Sequence, residues 1–399
     1  FNGGLATSAS FNKPSGVGVD ANGNLWITDT LTSKLRFVNM GTTTIQIFAG
    51  TTAEQTVPPG VIVEVNKNIG DGPNDGAPVN YAVLDTPQGL TITPQGIFIA
   101  DSKGGGTVFC TNNCNKPRTS LIRFINTTNQ TVTFYPGGAT KVTVAPGNIA
   151  RIVGGSIDLN SVGDGPNPLG AKLVGATDVA VHPTTGDIYI ADAGNKRIRR
   201  VDRNTGAVST VWTGGTNDAV VGVSFDSAGR LLAANAGFKT GLGASVNLGN
   251  SSILREKASG QCAANAVGCF DTILSGGAGS LLKNPRDVVE GRDGALYVTN
   301  AGPSERTQTG QSLSDNKILR IVVSGNTGTA SVYAGTTLGY SGDGGPAINA
   351  QLNLAADDFT ISTFGTPVLS SRVNVTITLG VNGELIFSDA ANNAIRRIR

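Results

Sequence analysis

The chain has 399 residues and carries 30 basic and 28 acidic side chains, a formal net charge of +2. This balance, with no basic stripe, leaves no electrostatic source for nucleic-acid binding. Only 15% of residues are charged, and the 55 glycines are about twice the average share of roughly 7%, which favours many short strands joined by tight turns. No apolar run reaches the roughly 18 residues that span a bilayer. A signal peptide is also absent, but a mature exported chain would have lost it.

Residues 175–215 contain four β-rich runs separated by turns. The runs are residues 178–181, 187–191, 197–201 and 207–212. Four short strands of this kind form one antiparallel meander, which cannot bury both of its faces alone. The segment therefore predicts one sheet of a repeat protein.

The same pattern returns six times in chain order. The second-strand endings read WITDT at 26–30, FIADS at 98–102, YIADA at 189–193, LAANA at 232–236, YVTNA at 297–301 and FSDAA at 387–391. The third strands read KLRFV at 34–38, LIRFI at 121–125, RIRRV at 197–201, ILR at 253–255, ILRIV at 318–322 and AIRRI at 394–398. Six copies predict an all-β fold, a six-bladed β-propeller of four-stranded antiparallel blades. The predicted blades cover residues 11–70, 71–162, 163–215, 216–277, 278–341 and 342–399 of a single domain, 1–399.

Three stretches resemble NHL repeats. They are NKPSGVGVDANGNLWITDT at 12–30, VAVHPTTGDIYIADAGNKRIRRV at 179–201 and GDGGPAINAQLN at 342–353. The resemblance covers nearly the whole chain and implies a six-bladed propeller of the exported bacterial NHL-repeat type, a fold that serves many functions. Blades 4 to 6 depart from the pattern, because Asn235 and Asn300 replace the second-strand aspartate and residues 355–371 interrupt blade 6.

An internal match predicts a decoration of the outer rim. Residues 36–65 align without a gap on residues 123–152, and Arg36, Phe37 and Asn39 are among the residues that recur 87 positions later. We therefore expect blades 1 and 2 to carry the same extra β-hairpin before the fourth strand. Such a rim exposes strand edges to neighbouring molecules.

The last blade is predicted to be one strand short. Residues 394–398 are its third strand, and no fourth strand follows before Arg399, so the count is 23 strands rather than 24. Residues 1–6 parallel the linker at 342–347, which follows a fourth strand. We expect the missing strand to come from residues upstream of Phe1 or from another molecule by strand addition.

Four cysteines form two local pairs in segments that interrupt the repeat. Cys110 lies near Cys114, and Cys262 lies near Cys269. These spacings suit two small disulfide-closed loops and lack the paired CxxC arrangement of a zinc site, although free thiols or metal ligation remain the alternative. Disulfides imply an oxidising compartment, so we expect an extracellular or envelope-exposed protein.

Four aspartates end second strands once per repeat. They are Asp29, Asp101, Asp192 and Asp389. We expect each to cap the turn into the third strand through backbone N–H groups; the alternative is a ring of carboxylates that holds a cation. The Gly-Asp-Gly linkers at 70–72, 163–165 and 342–344 lack the dense oxygen series of an EF-hand loop. No cofactor is predicted from them, and calcium stays the alternative.

Two further aspartates break the repeat, because Asp178 and Asp287 stand where three other blades have glycine, at residues 16, 89 and 222. We expect them at the entry to the innermost strands, at the same channel mouth as Asn235 and Asn300. These four residues loosely resemble the calcium constellation of six-bladed lactonases of the paraoxonase and gluconolactonase kind, for which Glu290 would supply the glutamate in the channel. The alternative function is therefore a calcium-dependent lactonase-like or esterase-like hydrolase at the channel mouth.

Other enzymatic functions find no support in the sequence. The single histidine, His182, lies in a turn between first and second strands and is expected to be structural. No Ser-His-Asp arrangement and no GxxxxGK[ST] loop is present, so no catalytic residue is assigned.

Long insertions follow the second strands of blades 2, 4 and 5, at 102–119, 236–251 and 301–316. They fall on one face of the predicted ring, where recognition usually takes place. We therefore expect a non-enzymatic extracellular scaffold that binds protein or glycan partners. Copies of itself are among those partners, in an oligomer or filament formed by strand complementation of the last blade.

Overall fold

A computed structural model describes residues 5–41, 44–49, 78–79, 82, 84–102, 120–155, 163–216, 218–237, 251–263, 266–277, 279–301, 316–354 and 374–399. These residues form six antiparallel sheets in a propeller arrangement, five with four strands and the last with three. Helical structure is limited to short 3-10 turns. The predicted all-β six-bladed propeller with a three-stranded last blade is therefore confirmed. In the described part of the chain, no helix has the length and apolar character needed to cross a membrane.

Each blade begins at its innermost strand, and most blades meander outward from there. The strands of blades 1 to 3 are β1 (Pro14–Val19), β2 (Leu25–Asp29), β3 (Lys34–Asn39), β4 (Thr44–Ala49), β5 (Pro87–Thr93), β6 (Gly96–Asp101), β7 (Leu121–Asn126), β8 (Val132–Phe134), β9 (Val142–Val144), β10 (Ile149–Gly154), β11 (Ala176–Val181), β12 (Ile188–Asp192), β13 (Arg197–Val201) and β14 (Val208–Thr213). Those of blades 4 to 6 are β15 (Val220–Phe225), β16 (Leu231–Asn235), β17 (Ser252–Glu256), β18 (Phe270–Ser275), β19 (Pro285–Glu290), β20 (Leu296–Asn300), β21 (Lys317–Ser324), β22 (Thr327–Ala334), β23 (Ile377–Leu379), β24 (Leu385–Asp389) and β25 (Ala394–Ile398).

The turns between first and second strands are tight and internally hydrogen-bonded. In blade 3 the N–H of His182 donates to the carbonyl of Asp187 at 2.8 Å. The Nδ1 atom of His182 accepts the N–H groups of Thr184 and Thr185, both at 3.1 Å. The imidazole ring also packs edge-on against Phe225 of the next blade. The histidine therefore stabilises a turn, as its position in the repeat predicts.

The apolar cores lie between neighbouring blades. Val179, Ile188 and Ile190 are fully buried in the cluster that joins blades 2 and 3. Burying one such side chain contributes roughly 1.5–3 kcal/mol, and this stabilisation requires two adjacent sheets. Single blades are thus stable only as part of the ring.

The ring closes between blade 6 and blade 1. The inner strands touch in sequence around the axis, and β23 completes the circle against β1. Val17, Ile27 and Ile386 form the buried core of this seam, and Phe11 packs partly buried against it. Residues 5–10 contain a 3-10 turn, Ala6–Ser8, and no named strand. They do not pair with the outer side of β25.

The predicted rim hairpin is present in blade 2 and not in the same form in blade 1. In blade 2, β8 and β9 form a separate two-stranded sheet, and β10 then pairs with β7 as the fourth strand. In blade 1, β4 follows β3 directly and is itself the fourth strand. The prediction that blade 1 carries a matching hairpin before its fourth strand is therefore wrong. Residues 50–65 of the match lie outside the described residues.

One of the two predicted disulfides is described. Cys262 and Cys269 are bonded to each other in the segment between β17 and β18. The other predicted pair, Cys110 and Cys114, lies outside the described residues.

Candidate functional site

The inner strands of blades 1 to 5 share a β-bulge near their first residues, shown by a shift in their pairing with the second strands. A bulge leaves a backbone N–H without a partner in its own sheet, and a buried N–H needs one. The residues at this position in the six blades are Gly16, Gly89, Asp178, Gly222, Asp287 and Thr376. We call this set the inner ring.

Asp178 supplies acceptors for two of these backbone groups. Its Oδ1 accepts the N–H of Val179 in its own strand at 2.9 Å. Its Oδ2 accepts the N–H of Val223 in blade 4, also at 2.9 Å. The carboxylate therefore joins two neighbouring inner strands, and both of its oxygens are engaged.

Asp287 repeats this arrangement two blades further on. It accepts the N–H of Val288 at 2.8 Å and the N–H of Ile377 in blade 6 at 3.0 Å. In blade 6, the hydroxyl of Thr376 accepts the N–H of Val17 in blade 1 at 2.8 Å. Three inner-ring side chains thus satisfy five buried N–H groups. The sequence did not single out Thr376, because threonine at a strand start carries no distinctive signal.

Glycine at the other positions makes room for these side chains. A Cβ on Gly222 would lie 2.5 Å from the carbonyl oxygen of Arg286 and 2.7 Å from the Cα of Asp287. Real Cβ atoms do not approach backbone so closely, because interiors are close-packed. Glycine at positions 89 and 222 is therefore required by the packing of Asp178 and Asp287 in the next blade.

Burial disfavours the charged form of both inner-ring aspartates. Burial raises the pKa of Asp178 well above its ordinary value, and the neighbouring Asp287 charge raises it further. The two backbone N–H donors lower that pKa, but by less. Burial also raises the pKa of Asp287, to about 7. Two buried carboxylates that interact titrate as a pair, and burial favours the protonated form of that pair.

Asn374 spans the channel beside the inner ring. Its backbone N–H donates to Oε1 of Gln88 in blade 2 at 2.7 Å, and its Nδ2 donates to the carbonyl of Val221 in blade 4 at 2.8 Å. Blades 2 and 4 flank blade 3, which lies opposite blade 6 in a six-membered ring. The buried Oδ1 of Asn374 has no hydrogen-bond partner among the described residues. Its preceding residues interrupt the repeat, which is why sequence reasoning missed it.

A second set of polar residues ends the second strands. In all six blades the side-chain oxygen accepts the N–H of the linker that enters the same blade, at 2.7 to 2.9 Å. The residues are Asp29, Asp101, Asp192, Asn235, Asn300 and Asp389. No side-chain capping bond reaches the 3-10 turns that follow Asp29, Asp192 and Asp389. The predicted backbone cap of the turn into the third strand is therefore wrong for these three, since the carboxylates bond the inner-strand linker. Asp192 and Asp389 also accept the side-chain Nδ2 of the asparagine that ends each turn, at 2.8 and 2.9 Å.

The partner on the third strand differs between blades. Each of the four aspartates lies within 3.2 to 3.6 Å of an arginine, namely Arg36, Arg123, Arg199 and Arg396. At the same register position blades 4 and 5 have Leu254 and Leu319. Aspartate thus occurs with arginine and asparagine with leucine. Because an unpaired buried charge is costly, loss of the cation goes with loss of the anion.

The described Gly-Asp-Gly linkers extend two of these ion pairs. Asp164 contacts Nη2 of Arg199, and Asp343 contacts Nη2 of Arg396 at 2.7 Å. Each guanidinium therefore lies between a buried aspartate and a linker aspartate. The linker at 70–72 lies outside the described residues.

The structure separates the four residues predicted to form a calcium site. Asp178 and Asp287 lie in the inner ring, whereas Asn235 and Asn300 belong to the second-strand set and bond their own linkers. Glu290 is the last residue of β19, at the opposite end of that strand from Asp287, and it accepts the N–H of Ser227 at 2.6 Å. Within the described ranges, no group of three or more histidine, cysteine, aspartate or glutamate residues has a metal-binding arrangement.

The outer edge of β25 is the other candidate site, and we call it the open edge. In the other five sheets a fourth strand pairs with the third, whereas no strand among the described residues lies outside β25. A cavity of about 510 Å³ lined by Asp343, Gly344, Arg396 and Ile398 borders this edge. A second cavity of about 570 Å³ lies beside it, against Tyr333 of blade 5.

Blade 3 shows which backbone groups face the open edge. Val208 in β14 exchanges both of its backbone hydrogen bonds with Gly165, at 2.7 and 2.9 Å, so these groups point away from β13. Backbone direction alternates along an antiparallel pair, so Arg200 turns its N–H and C=O toward β14. Arg397 holds the same register against its second strand as Arg200 does. The N–H and C=O of Arg397 therefore face the open edge.

No family model matches the chain, and no curated protein matches it. Among solved structures, a protein of unknown function from Bacteroides thetaiotaomicron VPI-5482 is 13% identical over 99% of this chain and 71% of that chain, with a TM-score of 0.51. An auxiliary nutrient binding protein from the same organism is 11% identical over 98% of this chain and 69% of that chain, with a TM-score of 0.53. A further auxiliary nutrient binding protein, from Bacteroides ovatus ATCC 8483, is 12% identical over 98% and 70%, with a TM-score of 0.50. Identities this low show a shared fold alone.

Replacing Arg199 with leucine should leave the buried charge of Asp192 without its cation and lower the free energy of unfolding by about 3–5 kcal/mol. The double variant Asp192→Asn with Arg199→Leu has the asparagine and leucine that blades 4 and 5 carry at these positions. It should recover more than half of that loss in the free energy of unfolding. Urea denaturation measures both effects. Arg320→Leu is the matched control, because Arg320 and its partner Asp293 are both partly exposed, and it should leave stability close to that of the parent chain. A double variant as unstable as the single one would contradict the charge argument.

Stability should fall as the pH rises from about 4 to 7, because folded Asp287 holds a proton that the unfolded chain has already lost. The expected decrease is about 2–4 kcal/mol, measured by urea denaturation at several pH values. Asp287→Asn should flatten the slope in this window. Part of the slope should persist, because burial also raises the pKa of Asp178 well above its ordinary value and that of Asp192 to about 6. An unchanged slope in the variant would show that Asp287 titrates normally.

Proposed function

We propose that this chain is a non-enzymatic binding propeller, displayed outside the cell or on its envelope. It accepts a β-strand from a protein partner, copies of itself included, along the open edge. The observation that carries this proposal is that β25, alone among the third strands of the described sheets, has no outer neighbour. An unpaired strand edge is a ready template for strand addition.

The surroundings of the open edge favour a partner of peptide nature. Leu338, Tyr340 and Ile348 are exposed large apolar side chains of the segment that borders the first cavity. Ile398 and Phe387 line that cavity from the blade itself. Backbone hydrogen bonds along an edge supply affinity, and apolar pockets for alternate side chains supply selectivity. The open edge has both features.

The axis offers less support for catalysis. The inner-ring carboxylates bond backbone groups of neighbouring blades, and Asn374 spans the channel beside them. Two of the similar structures are described as nutrient binding proteins, so the fold is compatible with a binding role. The Cys262–Cys269 disulfide supports export, because such bonds persist in oxidising compartments.

Arg397→Pro should abolish self-association of the chain. Proline removes the outward N–H at the centre of the open edge and leaves the pairing of β25 with β24 in place. Sedimentation velocity across a hundredfold range of protein concentration should show assembly for the parent chain and a monomer for the variant. Arg397→Ala is the control, because it removes the same side chain, keeps the N–H and should associate. A parent chain that stays monomeric at every concentration would overturn self-association.

A second candidate is a calcium-dependent lactonase-like or esterase-like hydrolase at the channel mouth. The observation that favours it is the pair of coupled, buried carboxylates, Asp178 and Asp287, together with the unpartnered Oδ1 of Asn374 nearby on the axis. Carboxylate and amide oxygens are ligands that calcium prefers. Against it, both carboxylates already accept two N–H groups each.

Calorimetric titration with calcium chloride separates the two candidates. A hydrolase site should bind one calcium ion, and both Asp178→Asn and Asp287→Asn should lose that heat. Asp202→Asn, at an exposed turn, is the control that should bind like the parent chain. Absence of binding heat in the parent would remove the hydrolase and leave the binding propeller.

A further inference from the structure

Blade 3 contains a completed copy of the open edge. The linkers of blades 3 and 6 both carry Gly-Asp-Gly, followed by a 3-10 turn at Pro168–Gly170 in one and Ala347–Asn349 in the other. Their glycines fit in the same way, since a Cβ on Gly163 or Gly342 would meet the backbone of the alanine eight residues later. The third strands β13 and β25 also pair with their second strands in the same register. The contacts that β14 makes in blade 3 therefore indicate the contacts that an outer strand would make in blade 6.

In blade 3 the linker aspartate recognises a hydroxyl of the outer strand. Thr210 lies opposite Arg199 in the β13–β14 pair. Its hydroxyl donates to Oδ2 of Asp164 at 2.7 Å, while Oδ1 of Asp164 contacts Arg199. Val208, two residues earlier, pairs through its backbone with Gly165. The linker thus bonds the outer strand at two points.

The linker aspartate and its arginine are already positioned in blade 6, although Ala394 replaces Arg197, which donates to Thr210 in blade 3 at 3.3 Å. Arg396 donates to the carbonyl oxygens of Gln351 at 2.7 Å and Ser341 at 2.9 Å, and it contacts Asp389 at 3.3 Å. Its Nη2 also lies 2.7 Å from Oδ1 of Asp343. These bonds hold the guanidinium and the carboxylate without any outer strand, so the site is organised before binding.

The carboxylate of Asp343 is open to an incoming strand. Its side chain is 63% exposed, compared with 36% for Asp164, which Thr210 partly covers. The hydroxyl of Tyr340 hydrogen-bonds Asp343, and its ring lies 5.3 Å from the Arg396 guanidinium. Below it, Ala334, Phe387 and Ile398 form an apolar floor, at the place where Val208 packs in blade 3. A polar contact and an apolar pocket therefore lie two register positions apart.

We infer that the open edge selects an extended strand of a partner protein by side chain as well as by backbone. The strand carries serine or threonine opposite Arg396, where its hydroxyl donates to Asp343. Two residues earlier it carries a branched apolar residue, not proline, which packs on Ile398 and exchanges backbone bonds with Gly344. This inference rests on the proposed function, because it specifies which strand that edge accepts. Residues 208–212 of this chain, Val-Ser-Thr-Val-Trp, are an example of the pattern.

A labelled peptide with the sequence of residues 206–214 tests the inference through fluorescence anisotropy with the 399-residue chain. Replacing the threonine of the peptide by valine should weaken binding about ten- to hundredfold, the usual effect of losing a hydrogen bond to a charged group. Asp343→Ala should weaken binding of the threonine peptide equally and leave the valine peptide unaffected. A peptide with the preceding serine changed to alanine is the control, because Ser209 is exposed in blade 3, and it should bind like the parent peptide.

The outcomes separate the inference from the proposed function. Equal binding of the threonine and valine peptides would overturn hydroxyl selection and leave strand acceptance standing. Failure of both peptides, with residues 394–398 equally exposed to hydrogen exchange with and without peptide, would overturn strand acceptance itself. Because Asp343 is largely exposed, Asp343→Ala should keep the melting temperature of the parent chain, which shows that a loss of binding is not a loss of folding.

Discussion

The structure depends on satisfying backbone N–H groups at the centre of the ring. Bulges at the inner strands leave buried N–H groups without ladder partners. Asp178, Asp287 and Thr376 accept five of them and join blade 3 to 4, 5 to 6 and 6 to 1. Because three of these five bonds cross from one blade to the next, local hydrogen bonding and ring closure are coupled. Gly89 and Gly222 follow from the space that Asp178 and Asp287 occupy.

A related rule governs the layer outside the inner ring. Each second strand ends in an oxygen that holds the linker of its own blade, and the third strand decides whether that oxygen belongs to aspartate or asparagine. Arg199 permits Asp192, whereas Leu254 goes with Asn235. The exchange conserves the bond to the linker and avoids an isolated buried charge. Polar residues that look like a cation site in the sequence are therefore accounted for by backbone and ion-pair demands.

The groups proposed to bind a partner lie at the rim of the ring rather than on its axis. The axial carboxylates are engaged, and Asn374 spans the channel beside them. At the rim, by contrast, no strand among the described residues pairs with the outer side of β25, beside which lie a held guanidinium and an exposed carboxylate. Blade 3 has the same groups with a strand in place. The difference between an occupied and an open copy of one arrangement, within one molecule, is the basis for the binding role proposed above.

Sequence periodicity by itself determined the number of blades, the order of their strands, the three strands of the last blade and the turn role of His182. Each of these follows from local alternation of apolar residues and from turn chemistry, which act within about ten residues along the chain. It also placed Asp178 and Asp287 at the entry to the inner strands, because they interrupt a glycine position.

Only the tertiary structure decided what those residues bond. Val223 and Ile377, which donate to the two aspartates, are 45 and 90 residues away and come into reach only when neighbouring blades pack. The matched segments 36–65 and 123–152 likewise diverge, because Thr44–Ala49 pairs with its own third strand whereas Val132–Phe134 pairs with β9. Similar local patterns thus take different partners, since a strand's pairing is determined by the neighbours that the closed ring brings to it.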